Sequence, residues 1–218
     1  MNERPVLDAG DEAHLSRLLG TQPGSAGELG AFLERLREGV VEVARRDERV
    51  EERLRDARHR TLTVDYREDK APEGDPPSRL ADAGFYDYDR DVLVVATVDL
   101  RSGGVVDVSE REGAAPPITH EELEEARDIA ARRPGAAEVW ADRRAPVVAF
   151  PTPSYAFAAR PGSLRHRGCV LYAAGSRDEE SWSVVVDLSA REVVPDDELP
   201  EILRSRRGGR AKRRRARR

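Results

Sequence analysis

The side chains in this chain that could carry out chemistry are one cysteine, four histidines and a scatter of acids and serines. Each needs neighbours before it can react. Cys169 would act as a nucleophile only where a nearby cation lowers its thiol pKa, and its apolar surroundings instead predict a small buried strand residue. His14, His59, His120 and His166 have no second His or Cys at a metal-ligand spacing, so they are expected at surface or capping positions. The pairs Glu121-Glu122, Glu124-Glu125 and Asp196-Asp197 could be imagined as acid and base. Consecutive residues on a helix do not face each other, which predicts a solvated helix face or a turn. Ser154, Ser163 and Ser181 lack the Gly-x-Ser-x-Gly setting of a nucleophile elbow. Gly103-Gly104 and Gly208-Gly209 lack the Lys-Ser/Thr or following helix of a phosphate loop. The expectation is a protein with no catalytic residue, no metal ligand and no cofactor, and so not an enzyme.

The segment with a functional pull is the C-terminus. Residues 204–218 hold nine Arg and one Lys with no acid. The net charge of the whole chain is −5, which leaves −15 on the rest. Ten cations with nothing to bury repel one another and are expected to be disordered. Arg206, Arg207, Arg210, Lys212, Arg213, Arg214, Arg215, Arg217 and Arg218 are the candidate polyanion-binding residues, through release of counterions from nucleic acid. A solvated tail and a contact with the acidic body are the other readings.

Composition limits what can stand behind such a tail. The 218 residues are 39% hydrophobic, 5% aromatic and 36% charged, which suits small cores rich in Val, Leu and Ala. A single Cys excludes an internal disulfide framework. The N-terminus lacks the apolar core of a secretory signal, and no run approaches a membrane span. The expected location is the cytoplasm, away from membranes.

Hydrophobic periodicity divides the chain into elements. A short helix is expected over 11–19, within an N-terminal arm of residues 1–27. Leu29, Phe32, Leu33, Leu36, Val40, Val43 and Ala44 then fall on one helical face, with a second short helix through Val50 and Leu54. The period changes to two in Thr61–Tyr66, Phe85–Asp89, Val92–Leu100 and Val105–Ser109, separated by turn-rich stretches that include a loop over 71–78. Within Phe85–Asp89, Tyr86 and Tyr88 share a face and Phe85 points the other way. These elements make a first α+β unit of residues 28–112. Residues 113–118 read as a Pro-bearing linker. Thr119 and Glu122 then form a capping-box pair that opens a second helix, with Leu123, Ala126, Ile129 and Ala130 as its buried stripe. Strands at Val147–Phe150, Cys169–Ala173, Ser181–Leu188 and Glu192–Val194 complete a second unit of residues 119–203. Trp182 and Tyr172 are expected as sheet filler, like the aromatics of the first unit.

The halves carry matching markers in the same order. Ala-Arg-Arg occurs at 44–46 and 131–133, a β-branched run at 61–64 and 146–149, and Val-Asp-Leu at 98–100 and 186–188. A nearly constant offset between like elements is the signature of duplication. The expected fold is α+β, two tandem units, each a helix packed on an antiparallel sheet of about four strands.

This order resembles the two small, tandem, cystatin-like N-terminal domains of copper amine oxidases. The likeness rests on the Val-Ala-Thr-Val-Asp-Leu-Arg-Ser-Gly-Gly-Val-Val of residues 95–106 and the Pro-Pro-Ile-Thr-His-Glu-Glu-Leu-Glu-Glu-Ala-Arg-Asp-Ile-Ala of residues 116–130. It spans about residues 28–200. The resemblance implies the fold of those small domains. The family's chemistry lies in a further domain with an Asn-Tyr-Asp/Glu segment, whose tyrosine becomes a quinone, and with histidine copper ligands. The nearest string here, Phe85-Tyr-Asp-Tyr-Asp89, lacks the Asn, so no catalyst or copper ligand carries over. The expected function is a non-enzymatic binding or accessory module with a protein partner. Nucleic-acid association through the tail is one alternative. The other is an accessory subunit or non-catalytic relative of a copper amine oxidase.

Overall fold

The computed structural model describes residues 26–69, 78–132, 140, 147–152, 154–157, 165–173 and 182–203. The helix expected over 11–19 and the basic tail 204–218 lie outside them. The chain divides into two compact units, with the boundary in sequence between Glu112 and Gly113. Each contains a four-stranded antiparallel sheet, and the class is α+β.

In the first unit, helix α1 (Ala26–Arg46) and helix α2 (Glu48–Leu54) precede strands β1 (His59–Asp69), β2 (Ser78–Asp87), β3 (Val92–Asp99) and β4 (Gly104–Glu112), paired in that order. Asp47 separates the two helices as the N-cap of α2, accepting the Arg49 N–H at 3.0 Å. Leu36, Val40, Val43 and Ala44 of α1 and Val50 and Leu54 of α2 close on Ala81, Ala83 and Phe85 of β2 and on Val94, Ala96 and Val98 of β3. Alternation along β2 and β3 brings those six residues onto one face.

Two expectations need correction here. Leu29 and Leu33 are 44% exposed, so the first turns of α1 bury less than their periodicity predicts, although Phe32 packs against the core. Strand β2 starts at Ser78, well before Phe85, and ends at Asp87. Its first half, Leu80-Ala-Asp-Ala-Gly84, is poor in β-formers. It is held extended because it lies between β1 and β3. Tyr88 and Asp89 belong to the turn, although Tyr86 and Tyr88 still meet edge to face at 5.1 Å.

In the second unit, α3 (His120–Ala130) precedes β5 (Val147–Pro151), β6 (Gly168–Ala173), β7 (Trp182–Asp187) and β8 (Glu192–Val193). A short 3-10 turn, Ser154–Phe157, interrupts the segment between β5 and β6. Helix α3 lies across β6, β7 and β8. Cys169, Leu171, Ala173, Val184 and Val186 are buried and share one face by alternation. On the opposite face Phe157, Val185, Val194 and Leu199 form a second cluster, with Val170 against it. Gly168 is required by that cluster. A Cβ there would stand 2.4 Å from the Phe157 ring and 2.8 Å from the Val186 carbonyl oxygen.

The two sheets share one hydrogen-bond register. Tyr66 pairs with Ala81 and Ala81 with Val98, while Pro151 pairs with Cys169 and Cys169 with Val186. Val98 faces Val105 as Val186 faces Val193. Leu100 donates its N–H to the Arg79 carbonyl at 2.9 Å, and Leu188 donates to the Arg167 carbonyl at 2.8 Å. The offset is 85 for the first strand of each sheet and 88 for the others. Gly103 and Arg191 hold corresponding turn positions with φ of 71° and 58°. The buried helix positions Leu36, Val40, Val43 and Ala44 answer Glu122, Ala126, Ile129 and Ala130. That offset of 86 is one short of the Ala-Arg-Arg match.

Candidate functional site

The second unit buries Glu122, Arg127, Arg167 and Asp187, while the first buries Asp87 and Asp91. The capping box forms at the start of α3: Glu122 N–H donates to Thr119 Oγ1 at 3.2 Å, and Thr119 N–H donates to Glu122 Oε2 at 3.0 Å. Glu122 is fully buried all the same. Its carboxylate meets Arg167, whose Nη2 donates to Oε2 at 2.7 Å and whose Nε donates to Oε1. Arg167 also donates to the carbonyls of Pro116 at 3.1 Å and Pro117 at 3.0 Å. The Glu121-Glu122 pair is therefore not wholly a solvated face. Leu123 is only half-buried, and Glu122 replaces it in the inward stripe. The helix brings Glu122 inward, and only a bidentate guanidinium partner makes a buried carboxylate tolerable.

Beside this pair, Asp187 is fully buried. Its Oδ2 lies 2.7 Å from His166 Nδ1, and its Oδ1 accepts the Ala190 N–H at 2.9 Å. A His-Asp pair can orient a general base. The neighbouring Ser189 Oγ is engaged by the Arg167 N–H at 3.0 Å. Cys169 is buried. Burial, with the Glu122 charge added and the Arg167 charge opposing, pushes its thiol up to about 12. A thiol so protonated is no nucleophile at neutral pH. Sequence reasoning marked Asp187 as part of Val-Asp-Leu and missed its partner, because His166, just before β6, and Asp187, at the end of β7, are brought together only by the fold.

The other histidines are scattered. His59 opens β1 with Nδ1 3.0 Å from the Ala57 carbonyl oxygen, and His120 is exposed on the first turn of α3. His14 lies outside the described residues. Among the described residues no group of three or more His, Cys, Asp or Glu could hold a metal ion, and no helix is long and apolar enough to cross a membrane. Arg206, Arg207, Arg210, Lys212, Arg213, Arg214, Arg215, Arg217 and Arg218, expected to bind polyanions, all lie outside the described residues.

Two further surface features stand out among the described residues. In the first unit a cavity of about 320 Å³ is lined by Arg45, Val50, Glu51, Leu54, Arg55 and His59. In the second unit Val148, Phe150 and Tyr172 are 51%, 57% and 42% exposed. Val148 pairs with Tyr172 and Phe150 with Val170, so all four share one face of the edge strand β5 and its neighbour β6. The matching register positions of the first sheet are Thr63, Asp65, Asp82 and Gly84. Composition therefore differs where register does not. Tyr172, expected as half-buried filler, is one of the exposed residues.

No family model matches this chain, and no curated protein sequence does. Among solved structures it is similar to a copper-containing benzylamine oxidase from Hansenula polymorpha. The two are 17% identical with a TM-score of 0.37, over 63% of this chain and 25% of the oxidase chain. The match thus spans about a quarter of that enzyme, and no residue role passes from it.

Proposed function

We propose that the protein is a non-enzymatic binding or accessory module with a protein partner, built from two cystatin-like α+β units in tandem. The observation that carries this reading is the exposed apolar group Val148, Phe150 and Tyr172 on an edge strand pair. Apolar side chains at adjacent register positions on an exposed sheet face suit burial against another protein. The common register of the two sheets supports a duplication in which one copy gained this face. The buried Glu122, Arg167 and Asp187 are occupied by partners within the fold.

A photo-crosslinker at position 150 of the full chain, used in cells, tests the reading. It should yield one discrete protein adduct that is absent from a crosslinker at the exposed Glu112 and is lost in Val148→Ser. No adduct, or the same adducts from both positions, would overturn it. Purified protein given copper should neither oxidise primary amines nor develop a quinone absorption band. Peroxide release would favour the amine oxidase relation instead.

The charge arrangement of residues 204–218 favours a second reading, nucleic-acid association. Binding to duplex DNA should then be sequence-independent, with log affinity falling against log salt at a slope of about −0.9 per phosphate contacted. Removal of residues 204–218 should abolish it. Equal binding by the truncated chain would reject the tail as the contact.

A further inference from the structure

We infer that the outer edge of β5 pairs with β5 of a second copy of this chain, joining two second-unit sheets into one antiparallel sheet about a two-fold axis at Ala149. The inference rests on the protein partner proposed above and identifies that partner as the chain itself.

The edges of the two sheets are β1, β4, β5 and β8. Sheet edges are ordinarily kept from pairing by charge or by shortness. β1 carries Arg60, Asp65, Arg67, Glu68 and Asp69, β4 carries Asp107, Glu110, Arg111 and Glu112, and β8 is 2 residues long. β5, Val-Val-Ala-Phe-Pro, has 5 residues and no charge. Helix cover differs too: α1 lies against all the strands of its sheet, and α3 lies against β6, β7 and β8.

The hydrogen-bond pattern shows which backbone groups of β5 face outward. Thr152 donates its N–H to the Gly168 carbonyl at 2.9 Å, and alternation turns the N–H and C=O of Phe150 and Val148 toward β6 as well. The outward set is Val147, Ala149 and Pro151. Proline fits there because the N–H it lacks would have faced away from β6. With Ala149 opposite Ala149, each Ala149 N–H donates to the other Ala149 carbonyl and each Val147 N–H to the Pro151 carbonyl of the other copy.

The same register sets Val148 directly opposite Phe150 of the second copy, in the closer, non-hydrogen-bonded kind of pair. Tyr172 and Val170 extend this pair on either side, since Tyr172 neighbours Val148 and Val170 neighbours Phe150. The two-fold axis generates the row a second time. Its side chains carry no charge to oppose their own image. A strand edge of this length with three exposed side chains covers less than the about 800 Å² per partner of a standard interface, so the dimer is weak and reversible, with Kd of roughly 10 μM to 1 mM.

Sedimentation velocity of the full chain over that range should show a reversible monomer–dimer equilibrium. The dimer should persist in about 1 M salt, where the Debye length is about 3 Å. Val148→Lys, at a side chain 51% exposed, should abolish the dimer and leave the melting temperature in place; Val106→Lys, at a side chain 54% exposed on β4, should leave the dimer unchanged. Register is read by mixing Val148→Cys and Phe150→Cys chains under oxidising conditions. Cys169 is 0% exposed and does not compete, and the mixed disulfide should exceed either homodimeric one. A chain that stays monomeric, a dimer that vanishes in high salt, an equal loss in Val106→Lys, or a predominance of homodimeric disulfides would each overturn the inference. Crosslinking at position 150 separates this inference from the reading it rests on. An adduct of twice the chain's mass supports both; a discrete adduct of any other mass leaves the protein-partner reading standing and overturns the second copy; no adduct overturns both.

Discussion

Glu122 stands where Leu36 stands in the first unit, and Arg167 stands where Arg79 stands. The first pair fixes the buried stripe of each helix, and the second accepts the matching backbone N–H of Leu188 or Leu100. In the first unit the two positions are independent: Leu36 packs in the core, while Arg79 is 61% exposed and pairs with Glu68 at 3.3 Å. In the second they have become one buried ion pair. Replacing both members of such a pair by apolar residues is often neutral, whereas removing one leaves an uncompensated charge. Glu122→Ala is therefore expected to destabilise the second unit by about 3–5 kcal/mol. Glu122→Leu with Arg167→Leu should cost less than Glu122→Leu alone. Tryptophan fluorescence during urea unfolding reads this directly, since both tryptophans, Trp140 and Trp182, belong to that unit. A double variant as unstable as the sum of the single ones would show the two side chains to be uncoupled.

Arg191 takes φ of 58° where Gly103 takes 71° in the matching turn of the first sheet. A side chain in that left-handed region costs roughly 1–2 kcal/mol, while its ion pair to Glu125 at 3.0 Å is 56% exposed on the arginine side and weak. Arg191→Gly and Arg191→Ala both lose the ion pair, so their difference isolates the backbone. The Gly variant should be the more stable by about 1 kcal/mol in thermal unfolding. Equal stabilities would mean that the turn relaxes around the alanine.

Asp47 caps α2 and pairs with Arg49 through Nε at 2.9 Å and Nη2 at 2.8 Å. Burial pushes its carboxyl up. The hydrogen bonds and charge of Arg49, with the Arg49 and Val50 N–H groups, outweigh that and hold it below 3.8. A lowered folded-state value means stability that is present above the unfolded value, about 3.9, and is lost as pH falls through the folded one. Asp47→Ala should cost about 1 kcal/mol at pH 7, and wild type and variant should converge as the pH falls below 4. Hydrogen exchange of the α2 amides at several pH values gives both numbers.

Several features of the fold were legible because they are local. The 3.6-residue stripe of α1 from Leu36 to Ala44 and the Thr119/Glu122 capping box of α3 each depend on a few neighbouring residues. The start of β2 was not legible. Leu80 to Gly84 has little strand preference of its own and is extended by pairing with β1 on one side and β3 on the other. The inward turn of Glu122 was hidden for the same reason, since its partner Arg167 is 45 residues away. The cavity of Arg45, Arg55 and His59 shows no motif in sequence, because its cations converge only after α1, α2 and β1 fold together. The exposed group on β5 reads in sequence like any core strand, and only the described structure distinguishes the covered side from the open one.

Cys169 offers a test of how the second unit opens. Its thiol is 0% exposed and, with burial as the largest cause, is pushed up to about 12. An alkylating reagent could label the rare thiolate in the folded protein, and the rate would then climb with pH toward that value. Alternatively it could label only molecules that have opened, whose thiol has an ordinary pKa of about 8.5, and the rate would level off above it. A residue closed to solvent cannot meet the reagent, so the second course is expected: iodoacetamide labelling followed by mass spectrometry should plateau near pH 9. Glu122→Ala should raise the logarithm of the plateau rate in proportion to its loss of stability, when opening and closing are fast relative to labelling. A rate that keeps climbing above pH 9 would mean that the thiol is reached without opening, and that β6 is less tightly covered by α3 than its burial indicates.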